Sequence, residues 1–173
     1  MPGLSQHDFI ELYDAYHAGL YRFLLLRVGR VETAQDLTSE TFLKAWKALS
    51  IRGVVAHPQA YLYRIATTTL ADYYRKHGKE VFVDDEFLAK NLDNVAKNAT
   101  INDFADPVEL ARVYRALSQL PDDYATVITL RYVEDLPHGE IATAMGKSEG
   151  AVRVLLTRAL KALREHLESS QKV

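Results

Sequence analysis

An all-α fold, made of two small helical domains joined by an acidic linker, is what this sequence predicts, and three observations lead to it. Apolar residues recur at three- and four-residue steps through most of the 173 residues, the spacing of amphipathic helices. No segment alternates as a strand pair would, and the β-like runs at 54–56 and 81–83 are too short to count. From about 78 to 107 the periodicity fades and the composition turns acidic and asparagine-rich, over a length that exceeds an ordinary connection between packed helices.

Taken in order, the stretch at 7–28 places Phe9, Leu12, Tyr13, Tyr16, Leu20, Phe23 and Leu24 on one stripe, with Gly29 as its stop. A second periodic stretch at 31–49 carries Ala34, Leu37, Thr41, Phe42, Ala45, Trp46 and Leu49. Residues 50–60, with a glycine and a proline, read as a loop. A third helix follows at 61–76 and ends in basic residues, which suit a helix C-terminus. After the linker, Val108, Leu110, Ala111, Val113, Tyr114, Leu117 and Leu120 resume the helical period. Pro121 opens another helix, with Asp122 and Asp123 favourable in its first turn. A short helix lies at 137–146, Gly146 stops it, and Ser148 caps the last helix.

Composition narrows the function classes. With 48% hydrophobic residues the chain can bury one ordinary core or two small ones. Cysteine is absent, which excludes disulfides and thiolate metal sites. No run of about 18 apolar residues occurs, so no membrane span is expected. The N-terminus carries acids early and has no apolar signal region, so a cytoplasmic protein is expected. The net charge of −2 conceals three blocks. Residues 1–77 hold nine Lys and Arg against seven Asp and Glu, residues 78–110 three against eight, and residues 111–173 nine against eight. Whole-chain charge therefore decides nothing about nucleic acid, and local patches must.

One local patch is informative. A short helix, a turn with glycine and a longer helix form the outline of a helix-turn-helix. Ile141, Ala142 and Met145 can pack on Val152, Leu156, Ala159 and Leu163. Arg153, Thr157, Lys161 and Arg164 then fall on the opposite side, with Val154 and Arg158 along the edge. A recognition helix needs one face to bury and another to enter the major groove, where arginine grips guanine edges or phosphates. A solvated charged face on a helical hairpin fits the same spacing.

The rest of the chain resembles a known family. The stretches at 34–49, 58–76 and 116–165 are similar, in this order, to the core-polymerase-binding helix, the promoter-melting helix and the minus-thirty-five-binding domain of the extracytoplasmic-function sigma factors. The resemblance covers about residues 8–167. It implies a sigma region 2 bundle over 1–78, a flexible acidic linker over 79–107, and a region 4 helix-turn-helix over 108–173. It also implies a factor that binds core RNA polymerase and directs it to specific promoters, melting DNA without being an enzyme. The implied partners are core polymerase (clamp coiled coil and flap), promoter DNA in double- and single-stranded form, and an anti-sigma factor. No cofactor is implied. A helix-turn-helix regulator acting on duplex DNA without replacing a sigma factor is the alternative.

Residue roles follow from the resemblance. Asp36, Glu40, Thr41, Phe42, Lys44 and Trp46 correspond to the surface that grips the polymerase clamp, although Phe42 and Trp46 also suit a core. Arg52, His57, Tyr61, Arg64, Thr68, Tyr73, Arg75 and Lys76 correspond to the minus-ten contacts. Aromatic residues interleaved with bases suit single-stranded DNA, since each stacked base is worth roughly 1–3 kcal/mol. Of Tyr61 and Tyr63 at most one can be buried on a given face, and Asp72 and Arg75 can simply pair. The family often has asparagine at the position of Thr68 and glutamine at that of Ser39. Lys147, Ser148, Glu149, Arg153, Val154, Thr157 and Arg158 correspond to the minus-thirty-five contacts, and Val154 and Thr157 could meet a thymine methyl. Arg131 and Tyr132 suit packing and phosphate contact equally. In the linker, Asp84, Asp85, Glu86, Asp93, Asp103 and Asp106 suit a basic channel of the polymerase, while Phe82, Phe87 and Phe104 imply some docking.

Nothing in the sequence points to catalysis. There is no phosphate-binding loop, dinucleotide fingerprint or H-E-x-x-H motif, and the six histidines show no metal-ligand spacing.

Overall fold

The computed structural model describes residues 2–79 and 107–171. The linker's acids and its Phe82, Phe87 and Phe104 lie outside the described residues, as do the side chains of Val108, Leu110 and Ala111. The described residues are helical with no strand, as expected.

Three long helices form the N-terminal half. Helix α1 (Gln6–Val28) starts where the Ser5 hydroxyl accepts the Asp8 amide at 3.1 Å, and ends at Gly29, whose φ of 69° is left-handed. Helix α2 spans Val31–Arg52 and stops at Gly53, with φ 83°. Helix α3 (Pro58–His77) opens with proline at its first position, where the missing N–H has no helical partner to lose. The expected loop at 50–60 is thus only residues 53–57, because α2 runs on through its exposed Ser50, Ile51 and Arg52 and Pro58 starts the next helix.

Four helices form the second half. Helix α4 spans Pro107–Gln119. Helix α5 (Asp122–Ile128) follows Pro121 and leads into one wide turn of π-helix, Thr129–Val133. The helix expected to open at Pro121 therefore gives way to a π turn after Ile128. The Glu134 amide reaches back to the Thr129 carbonyl at 3.1 Å, and Asp135 takes a left-handed φ of 53° while the Leu136 amide bonds the Leu130 carbonyl at 3.0 Å. Helix α6 (His138–Met145) ends at left-handed Gly146, and α7 runs from Glu149 to Gln171.

Helices α1, α2 and α3 pack on one another, and α4, α5 and α6 pack on α7. The halves also meet directly, α3 against α6 and α1 against the π turn. Their buried residues form one connected cluster from Leu20 to Ala159. This explains why the second half of α1 is not a stripe: Phe23 through Val28 are all buried, because α2 and α3 cover one side and the C-terminal half covers the other. At the open end of α1 the other half is absent, and Tyr13 of the expected stripe remains 39% exposed.

Three tyrosines record the burial. Burial pushes the phenols of Tyr74 and Tyr114 up to about 12 from the ordinary 10.0. It pushes Tyr63 up as well, with the Glu134 carboxylate adding to the effect. Their folded values exceed their unfolded ones, so the stability they contribute is complete below pH 10 and is lost as pH rises through the folded values. Unfolding midpoints in urea are expected to hold from pH 8 to about 10 and to fall above it. Tyr114→Phe removes one proton from that linkage and flattens the alkaline slope by roughly 1.4 kcal/mol per pH unit at most.

Candidate nucleic-acid and polymerase interfaces

The helix-turn-helix is assembled as the residue pattern requires. Val152 and Ala159 are fully buried and Leu156 nearly so, packing toward buried Ile141 and Ala142, while Leu163 is only partly covered. The turn is closed by the Lys147 amide bonding the Ala142 carbonyl at 2.9 Å around left-handed Gly146. Ser148 caps α7 through its hydroxyl, which accepts the Ala151 amide at 3.1 Å. Arg153, Val154, Thr157, Arg158, Lys161 and Arg164 are all exposed. Arg153 approaches Glu149 one turn back at 3.6 Å, and Lys147 approaches Asp123 at 3.4 Å. Such exposed pairs contribute little and yield readily to a phosphate. The Thr157 hydroxyl donates to the Arg153 carbonyl at 3.0 Å.

On α3 the expected minus-ten residues divide by face. Arg64, Thr68 and Arg75 are exposed along one line with half-buried Tyr61 at its head. Of the two tyrosines, Tyr63 is the buried one, its ring edge-on to Phe23 with centroids 5.6 Å apart. Arg75 pairs with Asp72 at 2.7 Å on the open surface. Tyr73 stacks on His77, centroids 4.6 Å apart, next to exposed Lys76. Arg52 and His57 flank the short loop, where Val54 is 78% exposed.

On α2, Asp36, Ser39, Glu40, Leu43 and Lys47 form an exposed line at helical spacing. Leu43 escaped the sequence reading because an isolated exposed leucine looks like core until its surroundings are known; it is 53% exposed. Two residues of the expected surface lie beneath it. Thr41 is fully buried with its hydroxyl on the Leu37 carbonyl, and Phe42 is 4% exposed, so both support this surface from beneath. Trp46 is half-buried against Phe9, and Lys44 bridges Glu40 at 2.9 Å and Thr69 at 3.2 Å.

With these surfaces in place, comparison with known proteins is decisive. The model of Sigma-70 region 2 matches residues 12–80, and that of Sigma-70, region 4 matches residues 110–163. The ECF RNA polymerase sigma factor SigM of Bacillus subtilis is 31% identical, over 89% of this chain and 91% of its own. The chain belongs to the ECF RNA polymerase sigma factors. SigW of the same organism, another ECF sigma factor, is 29% identical over 94% of this chain and 90% of its own. Among solved structures, the sigma factor RpoE in complex with the anti-sigma factor NepR, from Bartonella quintana, shares the fold. It has a TM-score of 0.68 and 22% identity, covering 93% of this chain and 97% of that one.

Members of this family are initiation factors, not enzymes. No helix among the described residues is long and apolar enough to cross a membrane. Within this ECF factor the sequence reading missed one constellation between the halves. Glu134, its side chain 3% exposed, accepts Arg22 Nε at 2.9 Å and Nη2 at 2.8 Å, and accepts the Tyr63 hydroxyl at 2.7 Å. Buried Arg27 donates to Thr126 and, at 3.2 Å, to Asp122. One sequence signal existed. Gly19 sits in mid-helix, where glycine costs about 1 kcal/mol against alanine. A Cβ there would stand 2.8 Å from the Tyr63 phenol oxygen and 2.9 Å from Glu134 Oε2.

The cap of α7 is directly testable. Ser148→Ala is expected to cost about 1 kcal/mol and to speed amide hydrogen exchange in the first turn of α7, with the end of that helix unchanged.

Proposed function

We propose that this chain binds core RNA polymerase and directs it to specific promoters, melting the DNA to start transcription. On this reading the exposed line of Asp36, Glu40, Leu43 and Lys47 docks on the polymerase clamp. The line of Tyr61, Arg64, Thr68 and Arg75, with Tyr73, Lys76 and the loop from Arg52 to His57, takes the minus-ten element. There aromatic rings stack on unpaired bases while the cations hold the backbone. Helix α7 enters the major groove of the minus-thirty-five element with Arg153, Val154, Thr157 and Arg158, while Lys147, Ser148 and Glu149 lie by the backbone. Residues 1–78 form the first functional unit, 79–107 the tether, and 108–173 the second. The chain works in the cytoplasm, where its polymerase is. An anti-sigma factor is a fitting regulator, as the NepR complex of the Bartonella quintana RpoE illustrates for that protein.

The observation that carries the reading is the match, in order on one chain, of both promoter-reading regions of the sigma family. The test is reconstituted transcription from fragmented genomic DNA with core polymerase, with starts mapped by sequencing. Discrete starts that need both components, sharing two upstream elements, are the expected result. A footprint by the protein alone with no starts would replace the reading by that of a duplex-binding regulator. On a mapped promoter, Arg153→Ala and Arg158→Ala are each expected to cost about 1–3 kcal/mol if they grip a base. If either grips only a phosphate, it should weaken all sequences alike and lower the salt slope by about 1.

A further inference from the structure

We propose that Glu149, seated against Gly139, sets the base preference of Arg153 by holding its guanidinium away from phosphates and leaving it free for a guanine edge. The proposal rests on the promoter-reading function above and deepens it at one residue. Glu149 acts through Arg153 and is a positioning residue for the minus-thirty-five element.

The first argument is that Arg153 differs from its neighbours. Helix α7 presents Arg153, Arg158, Lys161 and Arg164 on its exposed side. Among the described residues, Arg153 alone of these four has an ion pair, with Glu149 Oε2 at 3.6 Å. It is also the one nearest the start of α7, and the first residues of a recognition helix are those that reach base edges. An arginine left alone on such a surface grips any phosphate, because phosphate contacts carry no sequence information and supply the affinity for unrelated DNA. A carboxylate one turn back offsets that charge where reading begins.

The second argument is the seat of the carboxylate. Gly139 is the second residue of α6, and its φ is not left-handed, so the backbone does not require glycine there. A Cβ at Gly139 would stand 2.7 Å from Glu149 Oε1, closer than real contacts allow. Glycine thus clears room for the Glu149 carboxylate at the start of α6, where the positive end of the helix favours it. One carboxylate oxygen rests against α6 and the other faces Arg153, so the group is held from two sides.

The third argument is what each DNA contact leaves behind. In water the exposed pair adds little to stability. It matters once DNA excludes water, since the same charges interact more strongly at lower dielectric. When Arg153 turns to a phosphate, the seated carboxylate is left unpaired beside the negative backbone. A guanine instead takes two N–H groups of the guanidinium at its O6 and N7, and others of the five N–H groups still face Glu149. Glu149 therefore penalises the sequence-independent contact and spares the specific one.

The test selects randomised duplexes with the full chain, alone and with core polymerase, and sequences what is bound. Arg153→Ala identifies the base that Arg153 reads, as the position whose preference it removes. There the parent is expected to favour guanine about tenfold to a hundredfold. Glu149→Gln removes the charge and Gly139→Ala unseats it. Each is expected to cut that preference at least about threefold, with the preference at the position read by Arg158 unchanged. Glu149→Gln is also expected to hold unrelated DNA more tightly, with a salt slope steeper by about 1. Gly139→Ala puts the better helix former into α6, so its unfolding midpoint is expected not to fall, which separates lost preference from lost structure. A preference that survives in either variant, one that weakens equally at all positions, or an Arg153→Ala that alters no base preference would overturn the proposal. If reconstituted transcription yields no starts while the chain alone selects a sequence, the initiation-factor reading fails and the base read by Arg153 still decides the role of Glu149. A chain that selects no sequence in either form overturns both.

Discussion

A carboxylate kept from water must be met by donors on every side, and the arrangement of this chain turns on how that demand is met at Glu134. Arg22 supplies two N–H groups and Tyr63 one hydroxyl, from two helices of the N-terminal half. The consequences spread outward. Helix α1 carries a glycine where it would otherwise carry a larger residue, and α5 ends in a π turn instead of running straight. The segment from Phe23 to Val28 is covered on all sides. A second charged contact, Arg27 to Thr126 and Asp122, repeats the pattern one turn further along α1. Lys79 reinforces it by reaching Asp122 at 2.8 Å and the Leu120 carbonyl at 2.9 Å.

The outward-facing surfaces obey a different rule. Each is a line of exposed residues at helical spacing, held in place by buried neighbours on the same helix. On α2, Thr41 and Phe42 anchor the helix while Asp36, Glu40, Leu43 and Lys47 look out. On α7, Val152, Leu156 and Ala159 anchor it while Arg153, Thr157 and Arg158 look out. On the proposed reading, function would be carried by helices rather than by loops, with the reading groups held in fixed register. The short loop between α2 and α3 is the exception, with Val54 exposed between Arg52 and His57.

Helix ends do much of the positioning. Ser5 and Ser148 satisfy orphan amides at two starts, and left-handed Gly29 and Gly146 close two stops. At the end of α6 the remaining carbonyls are satisfied from across the interface, by Arg64 and Thr67 of α3. A backbone need that most helices meet with water or their own cap becomes here a contact between the two halves.

The amino-acid sequence by itself determined the helices, the helix-turn-helix and the family, because these depend on local spacing: apolar steps of three and four, a capping serine, a glycine stop, a proline start. Its boundaries erred where local signals compete, as in the stretch from Ser50 to Pro58, and where an extra residue enters a helix, as at Thr129 to Val133. Only the tertiary structure decided which polar residues face inward. Arg22, Arg27 and Glu134 look like surface charges in a linear reading, since burial of a charge depends on partners about 100 residues away. The same holds for Thr41 against Glu40, adjacent in sequence and opposite in exposure. Periodicity tells that a helix has two sides; which sides are covered, and by what, is a property of the packed whole.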